Sequence, residues 1–260
     1  GLNQKVGNYP GITVEKKQGI CRLDLATKAR VIDLPGTYSL NASSMDESVV
    51  VELLLNKNDP DFPDVAIVIA DVENLKRNLL LFSQIKDLEI PTVLVINMSD
   101  QMKRKGIQID LEKLEKKLNT KVVLVSTRQN LGVSQLKQIL VNYRSIPNTP
   151  MFDPTSIDKE YFESLNKAFP NQSLYKLWLV ITQDINFTKL ERQKVPDTTD
   201  FSTQPKSFFK KLQQRETIKR YQTINQILKQ TYKVNLHEAT DLRSRLDNLF
   251  IHKFWGYIIF

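Results

Sequence analysis

The stretch Thr92–Asp100, TVLVINMSD, decides how the rest of the sequence is interpreted. An apolar run without alternation ends at Asn97, and Asp100 follows three positions later. Such a run predicts a strand buried on both faces, as in a parallel sheet. Asn and Asp at the end of a strand are typical of turns. They are equally suited to bind the edge of a purine ring, which needs donors and acceptors held by a rigid backbone.

Two further apolar runs resemble Thr92–Asn97, and helical patterns separate them. The runs are Val65–Asp71 and Lys121–Ser126. The helical patterns cover Leu75–Asp87, Asp110–Leu118 and Val133–Leu140. This alternation predicts an α/β fold, in which a mostly parallel sheet is flanked by helices. Upstream, GICRLDL (19–25) and ARVIDL (29–34) predict an antiparallel hairpin that joins the sheet.

The pattern changes after Tyr143. The segment SIPNTPMFDPTS (145–156) is rich in Pro, Ser and Asn and predicts a domain boundary. Beyond it the apolar residues recur at helical spacing. These patterns cover Tyr161–Ala168, Leu174–Ile181, Lys206–Tyr232 and Glu238–His252. We therefore expect an α/β domain over residues 1–145 and a small all-α domain over residues 151–250.

Composition limits the class of protein. The 260 residues are 41% hydrophobic and carry a net charge of +8, which is typical of a globular chain that buries a sizeable core. A single cysteine, Cys21, excludes a disulfide framework. Residues 251–260 turn aromatic and aliphatic, and we expect them to begin a membrane segment. The basic run Ser202–Val234 suits nucleic acid, an anionic membrane surface or a solvated helix face.

Three motifs with nucleotide chemistry lie at successive strand ends. Asp33–Gly36 fits DxxG, in which the carboxylate holds a Mg²⁺-bound water and the glycine N–H approaches a terminal phosphate. Asn97–Asp100 fits NxxD, in which the carboxylate accepts hydrogen bonds from N1 and N2 of guanine. Ser126–Arg128 then offers backbone N–H groups to guanine O6. Thr13, in a loop broken by Gly and Pro, is a candidate Mg²⁺ ligand. Their order along the chain favours a GTPase over a set of unrelated turns.

Several segments resemble the GTPase domain of the ferrous iron transport protein B (FeoB) family. They include VGNYPGITVE (6–15), DLPGTYSL (33–40) and VINMSD (95–100), and the resemblance extends from Val6 to about Leu140. It implies a Ras-like G domain followed by a helical domain of the guanine-dissociation-inhibitor type. The resemblance also implies GTP or GDP, Mg²⁺ and K⁺ as cofactors.

The resemblance implies a role for each motif residue. Switch I takes Gly11, Ile12, Thr13, Val14 and Glu15, and switch II begins with Asp33, Leu34, Pro35 and Gly36. Guanine recognition takes Asn97, Met98, Ser99, Asp100, Ser126, Thr127 and Arg128. Thr13 would bind Mg²⁺ directly and Asp33 through water. Thr13 and Gly36 would lie nearest the hydrolysed bond, and no catalytic residue is assigned.

Two features depart from the family pattern. The 260 residues contain no GxxxxGK[ST] phosphate loop, so we expect the first strand and this loop to precede Gly1. The 260-residue chain alone is therefore expected to bind and hydrolyse GTP poorly. Thr37 stands where many small GTPases carry a glutamine that orients water, and slow intrinsic hydrolysis follows.

The implied partners are guanine nucleotide, the membrane and a downstream transmembrane iron-transport domain of the same protein, without nucleic acid. The implied location is the cytoplasmic face of the bacterial inner membrane, and homo-oligomerisation is left open. One alternative is a soluble RNA-associated GTPase, whose basic helical half would bind RNA. Another is an interaction domain that does not hydrolyse nucleotide. His237 and His252 have no ligand-spaced partner and are not expected to bind metal.

Overall fold

The strands and helices follow the predicted α/β order. The computed structural model describes residues 5–8, 15–41, 44–182 and 199–235. The strands are β1 Lys5–Asn8, β2 Glu15–Arg22, β3 Lys28–Asp33, β4 Ala66–Asp71, β5 Thr92–Asn97, β6 Ile107–Ile109, β7 Val122–Leu124 and β8 Tyr232–Val234. The α-helices are α1 Met45–Leu55, α2 Leu75–Lys86, α3 Asp100–Lys105, α4 Leu111–Leu118, α5 Val133–Val141, α6 Lys159–Ala168, α7 Leu174–Thr182, α8 Thr199–Ser202 and α9 Lys206–Thr231.

A parallel sheet of order β4-β5-β7 positions the strand ends that carry the motifs. Its register places Asp71 beside Asn97 and Ile96 beside Leu124. Every side chain of β5 from Thr92 to Ile96 is buried, as its sequence predicted. Because parallel strands end at one edge of a sheet, the polar residues that follow them are brought close together.

The prediction that β4 is buried on both faces is wrong. Ile67 is 37% exposed and Ile69 is 65% exposed, whereas Val68 and Ala70 on the opposite face are buried. Among the described residues β4 pairs with β5 alone, so its other edge is open and one face lacks cover. An apolar run shows that a strand can be buried, but tertiary packing decides whether it is.

The predicted hairpin forms, but within a separate antiparallel sheet of order β1-β2-β3. At its turn, Asp24 Oδ1 accepts hydrogen bonds from the backbone N–H groups of Thr27 and Ala26. These two bonds lower the pKa of Asp24. The sheet is tied to the segment before β4 by Asp61, whose carboxylate pairs with Arg30 at 2.7 Å and with Lys16.

The helices of the second half pack directly on the α/β layer. Helix α9 lies against α2 and α4, and the buried residues of both halves form one apolar cluster. Trp178 is completely buried there and donates its Nε1–H to Glu216 Oε2 at 3.1 Å. The division at residues 145–151 stays a prediction, and its two parts share this core.

Strand β8 is among the short elements that were not predicted; it follows α9 and pairs antiparallel with β6. The sequence pattern extended the last helix to Tyr232, whereas α9 ends at Thr231. Three-residue strands are too short to show a period, and their pairing joins residues far apart in sequence. None of the helices in the described ranges combines the length and apolar character needed to cross a bilayer. The predicted helix at Glu238–His252 and the predicted membrane segment 251–260 lie outside those ranges.

Candidate functional site

The ends of β5 and β7 bring the two halves of the predicted guanine site together. The Ser126 hydroxyl donates to Asp100 Oδ1 at 2.7 Å. The backbone N–H of Thr127 lies 3.3 Å from Asn97 Oδ1, and the amide oxygen accepts from it. Ser126 is completely buried, so its hydroxyl holds the carboxylate in one orientation. The arrangement leaves part of the Asn97 amide and of the Asp100 carboxylate for an external partner.

A tight turn sets the position of Asp100 after β5. Met98 has a φ of 63°, in the left-handed region that non-glycine residues seldom adopt. The Ser99 N–H then donates to the carbonyl of Val125 at 3.1 Å, which joins the turn to the end of β7. Asp100 follows as the first residue of α3. The turn therefore aligns the loops after the two strands.

The Asp100 carboxylate is a charged acceptor. The Ser126 hydroxyl lowers its pKa most, and the backbone N–H of Asp100 itself, the Gln101 amide and the Arg128 guanidinium act in the same direction against burial. The Gln101 amide donates to the second oxygen, Oδ2, at 3.1 Å. A carboxylate accepts about four hydrogen bonds, so two positions stay available to a ligand.

The three N–H groups predicted to face guanine O6 have different partners. The Ser126 N–H donates to the carbonyl of Leu131 at 3.2 Å, and the Thr127 N–H donates to Asn97. The Arg128 N–H has no acceptor within the described residues. It is the one that is available to a base carbonyl.

The Asp33–Gly36 segment lies at the end of β3, apart from the base site. Among the described residues, no hydrogen bond or ion pair links it to Asn97–Asp100. Asp33 is exposed, and a Cβ on Gly36 would have no neighbour within 4 Å among the described residues. The Thr37 hydroxyl donates to the carbonyl of Ser39 at 2.8 Å. An exposed carboxylate beside an open glycine fits a hydrated Mg²⁺ and a phosphate.

Some predicted site residues lie outside the described ranges. These are Gly11, Ile12, Thr13 and Val14. Glu15 opens β2, and its carboxylate lies 3.3 Å from Lys17 Nζ. Within the described residues, no group of three or more His, Cys, Asp or Glu side chains is placed to hold a metal.

Comparisons with known proteins identify the family of the chain. Residues 1–140 match the family model for ferrous iron transport protein B, which is more than half of the chain. The chain belongs to the ferrous iron transport protein B family.

Relatives of this FeoB-family chain include longer proteins and solved domains. The Fe(2+) transporter FeoB of Leptospira biflexa is 31% identical over 271 residues, and the alignment covers 100% of this chain and 39% of that protein. The cytosolic domain of the T. maritima FeoB iron transporter in a GDP form is 26% identical, with a TM-score of 0.74, covering 90% of this chain and 91% of that one. Its GMPPNP form is 25% identical, with a TM-score of 0.71, covering 88% and 90%.

These matches confirm the FeoB family and the α/β G-domain fold that the sequence predicted. The family assignment also favours the predicted G domain of a ferrous iron transporter over the RNA-associated alternative. The chain spans 39% of the length of the Leptospira biflexa relative. The transport activity of the whole relative is therefore not shown for this chain.

Two positioning side chains of this FeoB-family chain were missed by the sequence analysis. Ser126 was predicted to act through its backbone, yet its hydroxyl orients Asp100. Gln84 of α2 is completely buried, and its Oε1 accepts the N–H of Leu40 at 2.9 Å, which anchors the segment after Gly36. The signal in the sequence was the position of Gln84, four residues after Leu80 and therefore on the apolar face of the helix.

Gly132 closes the loop behind Ser126, and its replacement gives a first prediction. Its φ is 79°, and a Cβ there would lie 2.1 Å from the Leu124 carbonyl oxygen. Gly132→Ala is therefore expected to lower the free energy of unfolding by about 1–3 kcal/mol, through left-handed strain and displacement of β7. Urea unfolding checks this, with Gly36→Ala, which meets open space, as the control. Equal stability of the two variants would contradict it.

Proposed function

We propose that this chain is the guanine-nucleotide-binding, GTP-hydrolysing regulatory domain of a ferrous iron membrane transporter. The observation that carries the proposal is the pairing of Asp100 with Ser126 and of Asn97 with Thr127 at the ends of two parallel strands. An acceptor and an amide are thereby held at fixed positions on one edge of the sheet. This is the recognition surface that a purine base requires.

The donor and acceptor pattern selects guanine. The ionised Asp100 carboxylate accepts from N1–H and from the exocyclic N2 amine, two donors that adenine does not present together. The Asn97 Oδ1 already accepts from Thr127, so its NH₂ group donates to a ring nitrogen. The Arg128 N–H donates to O6, while Met98 and Ser99 shape the turn. Each group then makes a bond that it lacks in the free protein.

The phosphate side is assigned to the Asp33–Gly36 and Gly11–Glu15 segments. Asp33 would hold Mg²⁺ through water and Thr13 would hold it directly. Mg²⁺, when bound, neutralises charge on the transferred phosphoryl group, and K⁺ would add to that effect. The Gly36 N–H approaches the terminal phosphate. The Thr37 hydroxyl is bonded to Ser39, so Thr37 does not orient water and intrinsic hydrolysis is slow.

The open edge of β4 supports the domain assignment. Among the described residues β4 has one unpaired edge, and Ile67 and Ile69 are exposed on one of its faces, which suits one further strand and the phosphate loop that would follow it. The G domain is assigned to residues 1–145 and the helical domain to 151–250. Residues 251–260, outside the described ranges, would begin the membrane segment, and the domain would then lie at the cytoplasmic face of the inner membrane.

The transport role is inferred from relatives. The Leptospira biflexa relative is named an Fe(2+) transporter, and it is more than twice as long as this chain. Ferrous iron is then the cargo of the membrane domain, and the nucleotide state of this chain regulates it. The rival assignment, an interaction domain without hydrolysis, predicts nucleotide binding without phosphate release.

Nucleotide binding by the full-length protein tests the proposal and is the second prediction. Fluorescent GDP is titrated and then displaced with unlabelled GDP or ADP. We expect GDP to compete at least about 100-fold better than ADP, because a site built for polar groups rejects a base that leaves them unpaired. Phosphate release from GTP separates the hydrolysing domain from the interaction domain. Equal competition by ADP would remove guanine recognition, whatever the rate of hydrolysis.

A further inference from the structure

Strand β8, which follows α9 in the helical half, is hydrogen-bonded to the segment that follows the guanine motif. The Asn235 N–H donates to the carbonyl of Gly106 at 2.7 Å, and the Asp110 N–H donates to the carbonyl of Thr231 at 2.8 Å. Between these bonds, Ile107 faces Val234 and Ile109 faces Tyr232. These two short hydrogen bonds therefore hold the β6–β8 pair together at both of its ends.

The first connection to the guanine motif runs through α3. That helix has six residues, starts at Asp100 and ends where Gly106 caps it with a φ of 65°. Strand β6 begins at the next residue. Because a helix of this length is stabilised mainly by its surroundings, the anchoring of β6 limits where Asp100 can lie.

The second connection runs through Tyr232. Its hydroxyl donates to the carbonyl of Val72 at 3.3 Å, and the Val72 N–H donates to the carbonyl of Asn97 at 3.3 Å. Burial raises the pKa of Tyr232, and the carboxylates of Glu73 and Asp71 raise it further, so its hydroxyl stays protonated and able to donate. Both bonds are longer than the usual range, so each contributes modestly.

We infer that β8 positions the guanine-recognition motif, with the Tyr232 hydroxyl acting on Asn97 and the Asn235 N–H acting on Asp100. This inference rests on the proposed guanine-nucleotide function. Both connections start at β8 and reach the two residues that contact the base. The segment Tyr232–Asn235, which follows α9, thereby sets how closely the G domain fits guanine, and Tyr232 and Asn235 are positioning residues.

Two substitutions in the full-length protein remove one connection each. Tyr232→Phe removes the hydroxyl and keeps the ring, and its control is Tyr221→Phe on α9, whose ring lies beside Lys76. Asn235→Pro removes the backbone donor, and its control, Asn235→Ala, keeps that donor. Val234 is already extended, which is the conformation that a residue before proline prefers.

The measurement is the affinity for GDP and for inosine diphosphate, which lacks the exocyclic amine that Asp100 binds. We expect each variant to lose about threefold to tenfold in GDP affinity, as for one or two modest hydrogen bonds. Inosine diphosphate makes fewer contacts with Asp100, so Asn235→Pro should weaken it less than GDP and narrow the preference for GDP. Asn97 donates to a ring nitrogen that both bases carry, so Tyr232→Phe should weaken both nucleotides equally. The two controls should keep the wild-type affinities and the wild-type ratio.

A merely structural β8 gives a different result, in which stability falls and Asn235→Pro weakens both nucleotides equally. That outcome, or unchanged GDP affinity in both variants, overturns the inference while leaving the proposed function intact. Failure of the wild-type protein to bind GDP overturns the proposed function, and the inference with it. Thermal unfolding of the nucleotide-free variants distinguishes lost stability from lost positioning.

Discussion

Replacing Arg220 by Met is expected to lower the free energy of unfolding by about 3–5 kcal/mol, because it leaves buried carboxylates without their cation. Arg220 is 1% exposed on α9. Its Nη1 lies 2.6 Å from Asp87 Oδ2, and its Nε lies 2.7 Å from Glu216 Oε1. Both carboxylates are completely buried, so water cannot replace the guanidinium.

Further contacts show how closely Arg220 fits its site. Its Nη1 also donates to Ser83 Oγ at 3.1 Å, and its guanidinium carbon lies 4.5 Å from the Phe152 ring centroid and 4.6 Å from that of Tyr175. Asp87 Oδ1 accepts the N–H groups of Met151 and Phe152. The arginine therefore joins α9, α2 and the linker between the two halves.

The loss of unfolding free energy in Arg220→Met is expected to depend on pH. Burial raises the pKa of Asp87 above its ordinary value of 3.8, and Arg220 opposes that rise. Without Arg220 the folded-state pKa rises further, so the folded variant binds a proton that the unfolded chain has released. Stability of the variant then falls, relative to wild type, as pH rises from about 4 toward the new folded-state pKa.

Urea unfolding at pH 5 and pH 8 measures both effects. Arg215→Met is the matched control on the same helix, since Arg215 is 45% exposed and lies 3.9 Å from Asp158. A pair of that kind contributes about 0–1 kcal/mol. Equal losses for the two arginines, or a larger Arg220 loss at pH 5 than at pH 8, would refute the role given to Arg220.

Local sequence could not have identified this cluster. Asp87 and Arg220 are 133 positions apart, and each sits in a pattern that predicts an ordinary polar helix position. The composition of α9 suggested a basic, solvated face, yet one of its cations is among the most buried side chains. Long-range pairing has no period in the sequence, so patterns that predict helices do not predict it.

The sequence predicted the strands and the motifs better than it predicted the Arg220 cluster, although not all of them equally well. The run Thr92–Ile96 predicted burial correctly, and the same reasoning failed at Ile67 and Ile69 because none of the described residues covers them. NxxD placed Asn97 and Asp100 by spacing alone, because a turn after a strand fixes such positions. The Ser126 hydroxyl was missed, since which part of a residue faces the site depends on the paths of two strands.

Asp100→Asn is expected to change the preference of the full-length protein from guanine nucleotides to xanthine nucleotides. In the proposed site the wild-type carboxylate would present only acceptors to N1–H and the N2 amine of guanine. The NH₂ group of Asn is a donor. It cannot hydrogen-bond to the N2 amine of guanine, which is also a donor, but it can donate to the O2 carbonyl of xanthine. Losing a hydrogen bond to a charged group costs about 1.5–3 kcal/mol, so GDP affinity should fall about 10- to 100-fold.

The measurement is the affinity of wild type and variant for GDP and for xanthosine diphosphate. Asp71→Asn is the matched control, because Asp71 stands beside Asn97 in the sheet but its carboxylate accepts from Glu73 N and Asn74 Nδ2. Asn at position 100 can still accept from Ser126, so the turn should be kept and the protein should stay folded. A fall in affinity for both nucleotides would mean that Asp100 supports the loop and not the base. Unchanged GDP affinity would place guanine away from Asp100, and the site would then have to be sought at another strand end.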